Sequence, residues 1–207
     1  MGHLWVVSAA SGTGKTSLVK ALLAQDSMIQ VAISHTTRQP RAGEINGIDY
    51  HFVTRETFKS LLAQDVFIEH ADVYGHFYGT SKQSVTGVLD NGQDVILEID
   101  WQGAAQIQSI MPQAKSIFIF PPSHAQLRLR LETRGKDQPE IIDQRLSEAR
   151  LEMTKSDAFD YWLINDQFEP TLLAFGSIIE AHRYEKGIMK QRYPDLIRGL
   201  CGPETKF

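Results

Sequence analysis

The segment that most constrains this chain lies at its start. Residues 4–7 are Leu4-Trp5-Val6-Val7, an apolar run that reads as a buried strand. Small polar residues and glycines follow from Ser8 to Thr16. Residues 15–24 then carry Leu18, Val19, Leu22 and Leu23 at helical spacing. Strand, small-residue turn and helix in that order predict an α/β unit whose turn lies at the carboxyl end of a parallel strand. The turn reads Ala9-Ala10-Ser11-Gly12-Thr13-Gly14-Lys15-Thr16. It matches the phosphate-loop pattern G-x-x-x-x-G-K-[ST] everywhere except its first position, where Ala9 replaces glycine. Successive backbone N–H groups in such a turn curl around phosphates, and the helix N-terminus adds positive potential. Lys15 is expected to reach the β- and γ-phosphates of a nucleotide, and Thr16 to hold Mg²⁺. Ala9 matters only if its position requires a positive φ. The bland alternative, a small-residue turn with an exposed lysine, does not account for the flanking strand and helix.

The rest of the chain repeats the alternation. Strands are expected at 31–33, 95–99, 117–120 and 161–164. Helices are expected at 81–90, from Gly103 to before Pro112, from the Ser123/Gln126 capping box to Arg134, at 140–156, and in one long final helix from near Pro170. Gly135 reads as a helix stop. Residues 34–86 break the pattern with short β-like pieces at 50–53 and 67–71 and a small helix bearing Phe58, Leu61 and Leu62. They read as an insertion built around a site. With 207 residues, 42% of them hydrophobic, the chain suits one core domain with insertions. The expected fold class is α/β with a mainly parallel sheet.

Composition removes several functions. Twenty-one basic against 25 acidic residues give a net charge of −4, which argues against a general nucleic-acid binder. The single cysteine, Cys201, excludes a disulfide framework and a cysteine-built zinc site, and fits a reducing, cytoplasmic setting. The apolar start is too short for a signal peptide or a membrane span, and no other segment suggests a membrane. The seven histidines show no metal-ligand spacing.

Further residues point to chemistry. Arg38 and Arg41 lie three apart in Ser34-His35-Thr36-Thr37-Arg38-Gln39-Pro40-Arg41, at an expected strand end. Two guanidinium forks there can take the oxygens of a phosphate monoester, though a solvated loop explains the run equally well. Glu69 sits in a mostly apolar strand, where a carboxylate needs partners. Guanine offers it two adjacent donors and adenine does not; a salt-bridged glutamate is the alternative. Asp100 ends the apolar run 95–99, suggesting a magnesium-shell or ligand-orienting role, a helix N-cap, or both. Arg134 and Arg145 flank a polar loop and suit a mobile cover that neutralises a transferring phosphoryl group, whereas Arg128 and Arg130 read as solvated helix face. No general base stands out. None is needed if the acceptor is a phosphate monoester, which is already an anion.

Taken together, these residues resemble the guanylate kinases of bacterial type, over about residues 4–200. The most specific stretches are the Ser34–Arg41 run, Tyr74 through Ser81, and Asp100-Trp101-Gln102-Gly103. The resemblance implies a P-loop NTPase-type three-layer fold. Its core would comprise residues 1–33, 88–123 and 148–207, with an inserted α+β GMP-binding domain at 34–87 and a helical lid at 124–147. It implies ATP and GMP as partners and Mg²⁺ as cofactor, and leaves homo-oligomerisation open. By position, Arg38, Arg41, Tyr50 and Tyr78 match residues that grip the GMP phosphate, and Ser34, Glu69 and Thr80 match those that read guanine. Asp100 matches an acid on the GMP side. Lys15, Arg38, Arg134 and Arg145 match the charge-stabilising set, residues Ser11 to Thr16 the ATP phosphate site, and Asn165 an adenine-side contact. Two other readings remain: a related phosphotransferase acting on a ribose bisphosphate, which Glu69 with Thr80 argues against, and a non-catalytic interaction module, which the retained Lys15 and Thr16 argue against.

Overall fold

A computed structural model describes residues 2–134 and 139–201, with the side chains of Arg134 and Pro139 excepted. The chain runs through β1 (Leu4–Ala9), α1 (Lys15–Gln25) and β2 (Ile29–Val31). It then leaves the main sheet for β3 (His35–Thr36), β4 (His51–Phe52), α2 (Arg55–Ala63), β5 (Phe67–Val73) and β6 (His76–Ser81). It returns through α3 (Lys82–Asp90) to β7 (Asp94–Glu98), α4 (Trp101–Ile110) and β8 (Lys115–Phe120). Helices α5 (His124–Arg134) and α6 (Pro139–Met153) precede β9 (Tyr161–Ile164), and α7 (Phe168–Arg183), α8 (Lys186–Arg192) and α9 (Pro194–Cys201) follow it.

Five strands form a parallel sheet in the order β2-β7-β1-β8-β9. Side chains alternate across each strand, and here both faces are apolar, as a sheet covered on both sides requires. Trp5, Val7, Ile96, Ile117 and Ile119 face one way and pack on Leu18, Val19 and Leu22 of α1 and Leu172, Phe175 and Ile179 of α7. Leu4, Val6, Val95, Leu97 and Phe118 face the other way, onto Val85 of α3 and Ala104 and Ile107 of α4. This is the expected α/β class, with three layers.

A second sheet, in the order β4-β3-β6-β5, holds the inserted segment. Its β5–β6 hairpin turns on Tyr74 (φ 55°) and Gly75 (φ 74°) between the paired residues Val73 and His76. Two successive positive φ values define the turn whose twist suits a two-residue hairpin. The edge of β5 rests on α4, where the Gln106 side chain exchanges hydrogen bonds with the His70 backbone (3.1 and 2.7 Å).

The structure departs from the sequence expectations in several places, among them the strand β6, which the sequence pattern did not mark. The polar run at Ser34 does not stay a loop: His35 and Thr36 form a strand between β4 and β6, whose residues lie far along the chain. The second strand lies two residues earlier than expected, because its pairing with β7 covers Ile29 to Val31. Helix α4 starts at Trp101 rather than near Gly103, since Asp100 caps it. The long final helix is three helices, broken at Tyr184–Glu185 and at Tyr193, with Pro194 opening the last. Gly135 and the loop expected after it lie outside the described residues.

Candidate active site

The phosphate loop connects β1 to α1 at the carboxyl edge of the parallel sheet. Gly12 (φ 90°) and Gly14 (φ 96°) both adopt left-handed backbone, which glycine enters without steric cost. A Cβ on Gly14 would also lie 2.7 Å from Asn165 Nδ2. Ala9 belongs to β1 and pairs with Ile119, and it has no positive φ, so replacing glycine there introduces no strain. The loop is braced from behind. The Thr13 carbonyl accepts from Asn165 Nδ2 at 2.6 Å and from an Arg130 guanidinium nitrogen at 3.2 Å, while Arg130 also donates to the Asn165 carbonyl at 2.9 Å. Arg130 is therefore no mere solvated helix residue, as its spacing suggested. With Gly12, Gly14, Ser17, Leu129 and Thr133 it lines a cleft on the outer side of the loop. In front, the Thr16 hydroxyl donates to Glu98 Oε2 at 3.0 Å. Glu98 and Asp100 both end the same apolar run, and it is Glu98 that meets Thr16 while Asp100 is bonded to Gly103 and Gln102. Two hard oxygens that converge at a phosphate loop suit Mg²⁺.

A cavity of about 220 Å³ opens in front of the loop, lined by residues 9–16 and by Ser34, Arg41, Tyr50, Glu69, Tyr78, Glu98 and Asp100. Opposite the loop lies a buried polar chain. The Thr80 hydroxyl donates to Glu69 Oε1 at 2.6 Å and lies 2.8 Å from the Ser34 hydroxyl. Glu69 is only 2% exposed. Burial pushes its carboxyl up to about 7, against the Thr80 hydrogen bond and with the help of nearby Asp100. A carboxylate so placed keeps acceptor capacity for a ligand with two adjacent N–H donors. Gly103 makes room for it: a Cβ there would sit 2.4 Å from Glu69 Oε2. Asp100 Oδ1 accepts from the Gly103 N–H at 3.0 Å and Oδ2 from the Gln102 amide at 2.9 Å, so the N-cap reading of Asp100 holds while it still lines the cavity.

A second cavity, of about 320 Å³, shares Ser11, Arg41 and Tyr78 with the first and adds Arg38, Tyr74, Arg145 and Glu148. Arg38 is held by Glu44 (2.8 Å) and lies over the Tyr50 and Phe52 rings at 5.5 and 5.8 Å. Glu44 Oε2 also accepts the Arg41 N–H at 2.6 Å, so one carboxylate sets the loop that carries both arginines. Although burial opposes it, this pairing keeps the Glu44 carboxyl below its ordinary range. Tyr50, next to Tyr78, is buried enough that its phenol is pushed up to about 12. The structure thus gathers Lys15, Thr16, Ser34, Arg38, Arg41, Tyr50, Glu69, Tyr78, Thr80, Asp100 and Arg145 around two adjoining cavities. Asn165 stands behind the loop, and the Arg134 side chain lies outside the described residues. Glu44, Glu98, Gly103 and Arg130 are additions from the structure. Glu98 shares the end of its apolar run with Asp100, Gly103 lies in the Asp100–Gly103 stretch and Glu44 follows Arg41 by three residues, whereas Arg130 carries no local signal.

A doubly covered parallel sheet with this loop at its carboxyl edge defines a phosphate-loop nucleotide-binding protein of the α/β class. The model of the family described as guanylate kinase matches residues 1–182. A guanylate kinase of Alkalilimnicola ehrlichii is 51% identical over 201 residues, 97% of this chain and 99% of that protein. One of Psychrobacter arcticus is 52% identical over 199 residues, 96% of each. The crystal structure of guanylate kinase from Anaplasma phagocytophilum superposes with a TM-score of 0.81 at 33% identity, covering 98% of this chain and 97% of that one. The chain belongs to the guanylate kinase family.

Proposed function

We propose that the protein transfers the γ-phosphoryl group of ATP to GMP and dGMP, giving ADP and GDP or dGDP. The observation that carries this reading is the buried, Thr80-bonded Glu69 carboxylate in the same cavity as Lys15 of the phosphate loop. The guanine ring N1–H and exocyclic amine donate to Glu69, with Ser34 and Thr80 beside it. Adenine has an acceptor where guanine has its ring N–H, so it is refused. Arg38, Arg41, Tyr50 and Tyr78 grip the GMP phosphate, and Asp100 stands on the GMP side. The ATP phosphates lie on residues 11–16. The cleft beside Arg130 takes the adenine end, and Asn165 supports it through Thr13.

The GMP phosphate is itself the nucleophile, so no residue has to remove a proton. What remains is alignment, charge neutralisation and water exclusion. Lys15, Arg38, Arg134 and Arg145 supply positive charge around the transferring group. Thr16 and Glu98 would hold Mg²⁺, which when bound neutralises the β- and γ-phosphate oxygens. The working parts are a core of residues 1–33, 88–123 and 148–207, a GMP-binding insertion at 34–87 and a lid at 124–147. Among the described residues no helix is long and apolar enough to cross a membrane. With its single cysteine, the protein is assigned to the cytoplasm.

The test is ADP release from ATP and Mg²⁺ with GMP, dGMP, AMP, CMP, UMP and a ribose bisphosphate offered in turn. Turnover confined to GMP and dGMP is the expected result. Turnover on the sugar phosphate alone would replace this reading, and GMP binding without turnover on any acceptor would make the protein a binding module.

A further inference from the structure

One carboxylate joins three parts of the molecule. Glu152, near the end of α6, accepts the Tyr74 hydroxyl on Oε1 at 2.8 Å and the Ser11 N–H on Oε2 at 3.3 Å. Tyr74 sits at the tip of the β5–β6 hairpin, which carries Glu69, Tyr78 and Thr80. Ser11 belongs to the phosphate loop, and α6 also carries Arg145. Glu152 is partly buried and Tyr74 half exposed; burial lifts the Glu152 carboxyl despite the Tyr74 and Ser11 hydrogen bonds and nearby Lys15. Asp100 adds like-charge repulsion, and Glu148 faces the same phenol. Tyr74 reaches this position with a φ of 55°, uncommon for a bulky residue and sterically costly. Local economy alone favours an asparagine or glycine at that turn position. A tyrosine there, with its hydroxyl spent on a carboxylate 78 residues away, is accounted for by the contact it makes.

Granting the reading above, we propose that Tyr74 and Glu152 are positioning residues. Their shared hydrogen bond sets the acceptor hairpin against the phosphate loop, so that the acceptor phosphate and the γ-phosphate meet in line. Neither residue belongs to the set assigned to grip a substrate. The pair therefore acts on the alignment of two bound substrates rather than on either affinity. A misplacement of about 1 Å is enough to slow a transfer roughly a hundredfold. Loss of a single hydrogen bond to a charged group should cost less than that.

The test is steady-state kinetics with ATP, Mg²⁺ and GMP on Tyr74→Phe, Glu152→Gln and the double variant. Tyr74→Phe keeps the ring and the turn and removes only the hydroxyl. Its kcat should fall about tenfold, or about 1.4 kcal/mol, with both KM values within roughly twofold of the parent. Glu152→Gln keeps one acceptor oxygen, which can serve Tyr74 or Ser11 but not both, so Tyr74→Phe should cost less in the Glu152→Gln background than in the parent. An unchanged or raised kcat for Tyr74→Phe would overturn the proposal, as would additive losses or a loss confined to KM. If Glu152→Gln does not fold, Tyr74→Phe decides alone through its split between kcat and KM. Absence of GMP turnover by the parent would sink the underlying reading and this inference with it. Parent turnover alongside a fully active Tyr74→Phe would sink this inference only.

Discussion

On the proposed reading, Glu69 is the residue on which selectivity turns. With its carboxyl near 7, it is partly protonated in the free protein at neutral pH. Two N–H donors from guanine favour the ionised form, so binding releases a proton below about pH 7. The KM for GMP should therefore rise as pH falls through 7 toward 5. The GMP phosphate also titrates, near pH 6, but Glu69→Gln retains that component and loses the other. The variant should show a flatter KM profile, a GMP affinity weaker by roughly a hundredfold at pH 8, and little change in ATP affinity. Equal losses for both nucleotides would remove Glu69 as the base reader. The same group makes a stability prediction of defined sign. Its folded pKa lies above the ordinary 4.5, so its contribution is fully present below pH 4.5 and is lost as pH rises through 7. Glu69→Gln should then raise the melting temperature at pH 8 relative to the parent and leave it nearly unchanged at pH 4.5.

At the scale of elements, the site depends on how closely α4 approaches β5. Gly103 permits that approach, and Asp100 fixes where the helix starts. Gly103→Ala should push Glu69 aside or lift the helix. We expect a loss of about 1–3 kcal/mol in unfolding experiments together with a weakened GMP KM. Wild-type stability and KM in this variant would show that the contact relaxes at no cost. The same scale explains what could be read from sequence. The phosphate loop was legible because its chemistry is contiguous: Gly12, Gly14, Lys15 and Thr16 lie between a strand and a helix that announce themselves by periodicity. The N-cap role of Asp100 was legible for the same local reason. Arg130 was not, because nothing in α5 reveals a partner at Thr13, 117 residues away. The strand at His35 was hidden too, since two residues carry no period and its partners come from β4 and β6. The break after Arg183 falls where no proline marks it. Resemblance to a family placed Tyr50, Tyr78 and Thr80, for which the local pattern offered only an aromatic, glycine-rich stretch.

Across the whole molecule, the two ends of the parallel sheet do different work. The carboxyl ends of β1 and β7 carry the phosphate loop, Glu98 and Asp100. At the opposite ends stands a buried charge cluster with no place in the chemistry. Asp94, 4% exposed at the start of β7, accepts the His3 N–H at 2.8 Å and pairs with Arg183 at 2.8 Å. Arg183 also holds Asp26 at 2.7 Å, after the end of α1. One guanidinium at the end of α7 thus ties that helix to the start of β7 and the end of α1. A buried pair need not outperform apolar packing, but removing one partner leaves the other charge uncompensated, at a cost of about 3–5 kcal/mol. For a chain of this size that corresponds to a fall in melting temperature of roughly 10 °C. Arg183→Ala should therefore unfold well below the parent while its kcat and both KM values at 20 °C stay within about twofold, because the sheet separates the lesion from the site. Thermal unfolding and steady-state kinetics on the same sample distinguish the two effects. A marked loss of kcat in the folded variant would show that the far end of the sheet is coupled to the phosphate loop, against the division drawn from the geometry.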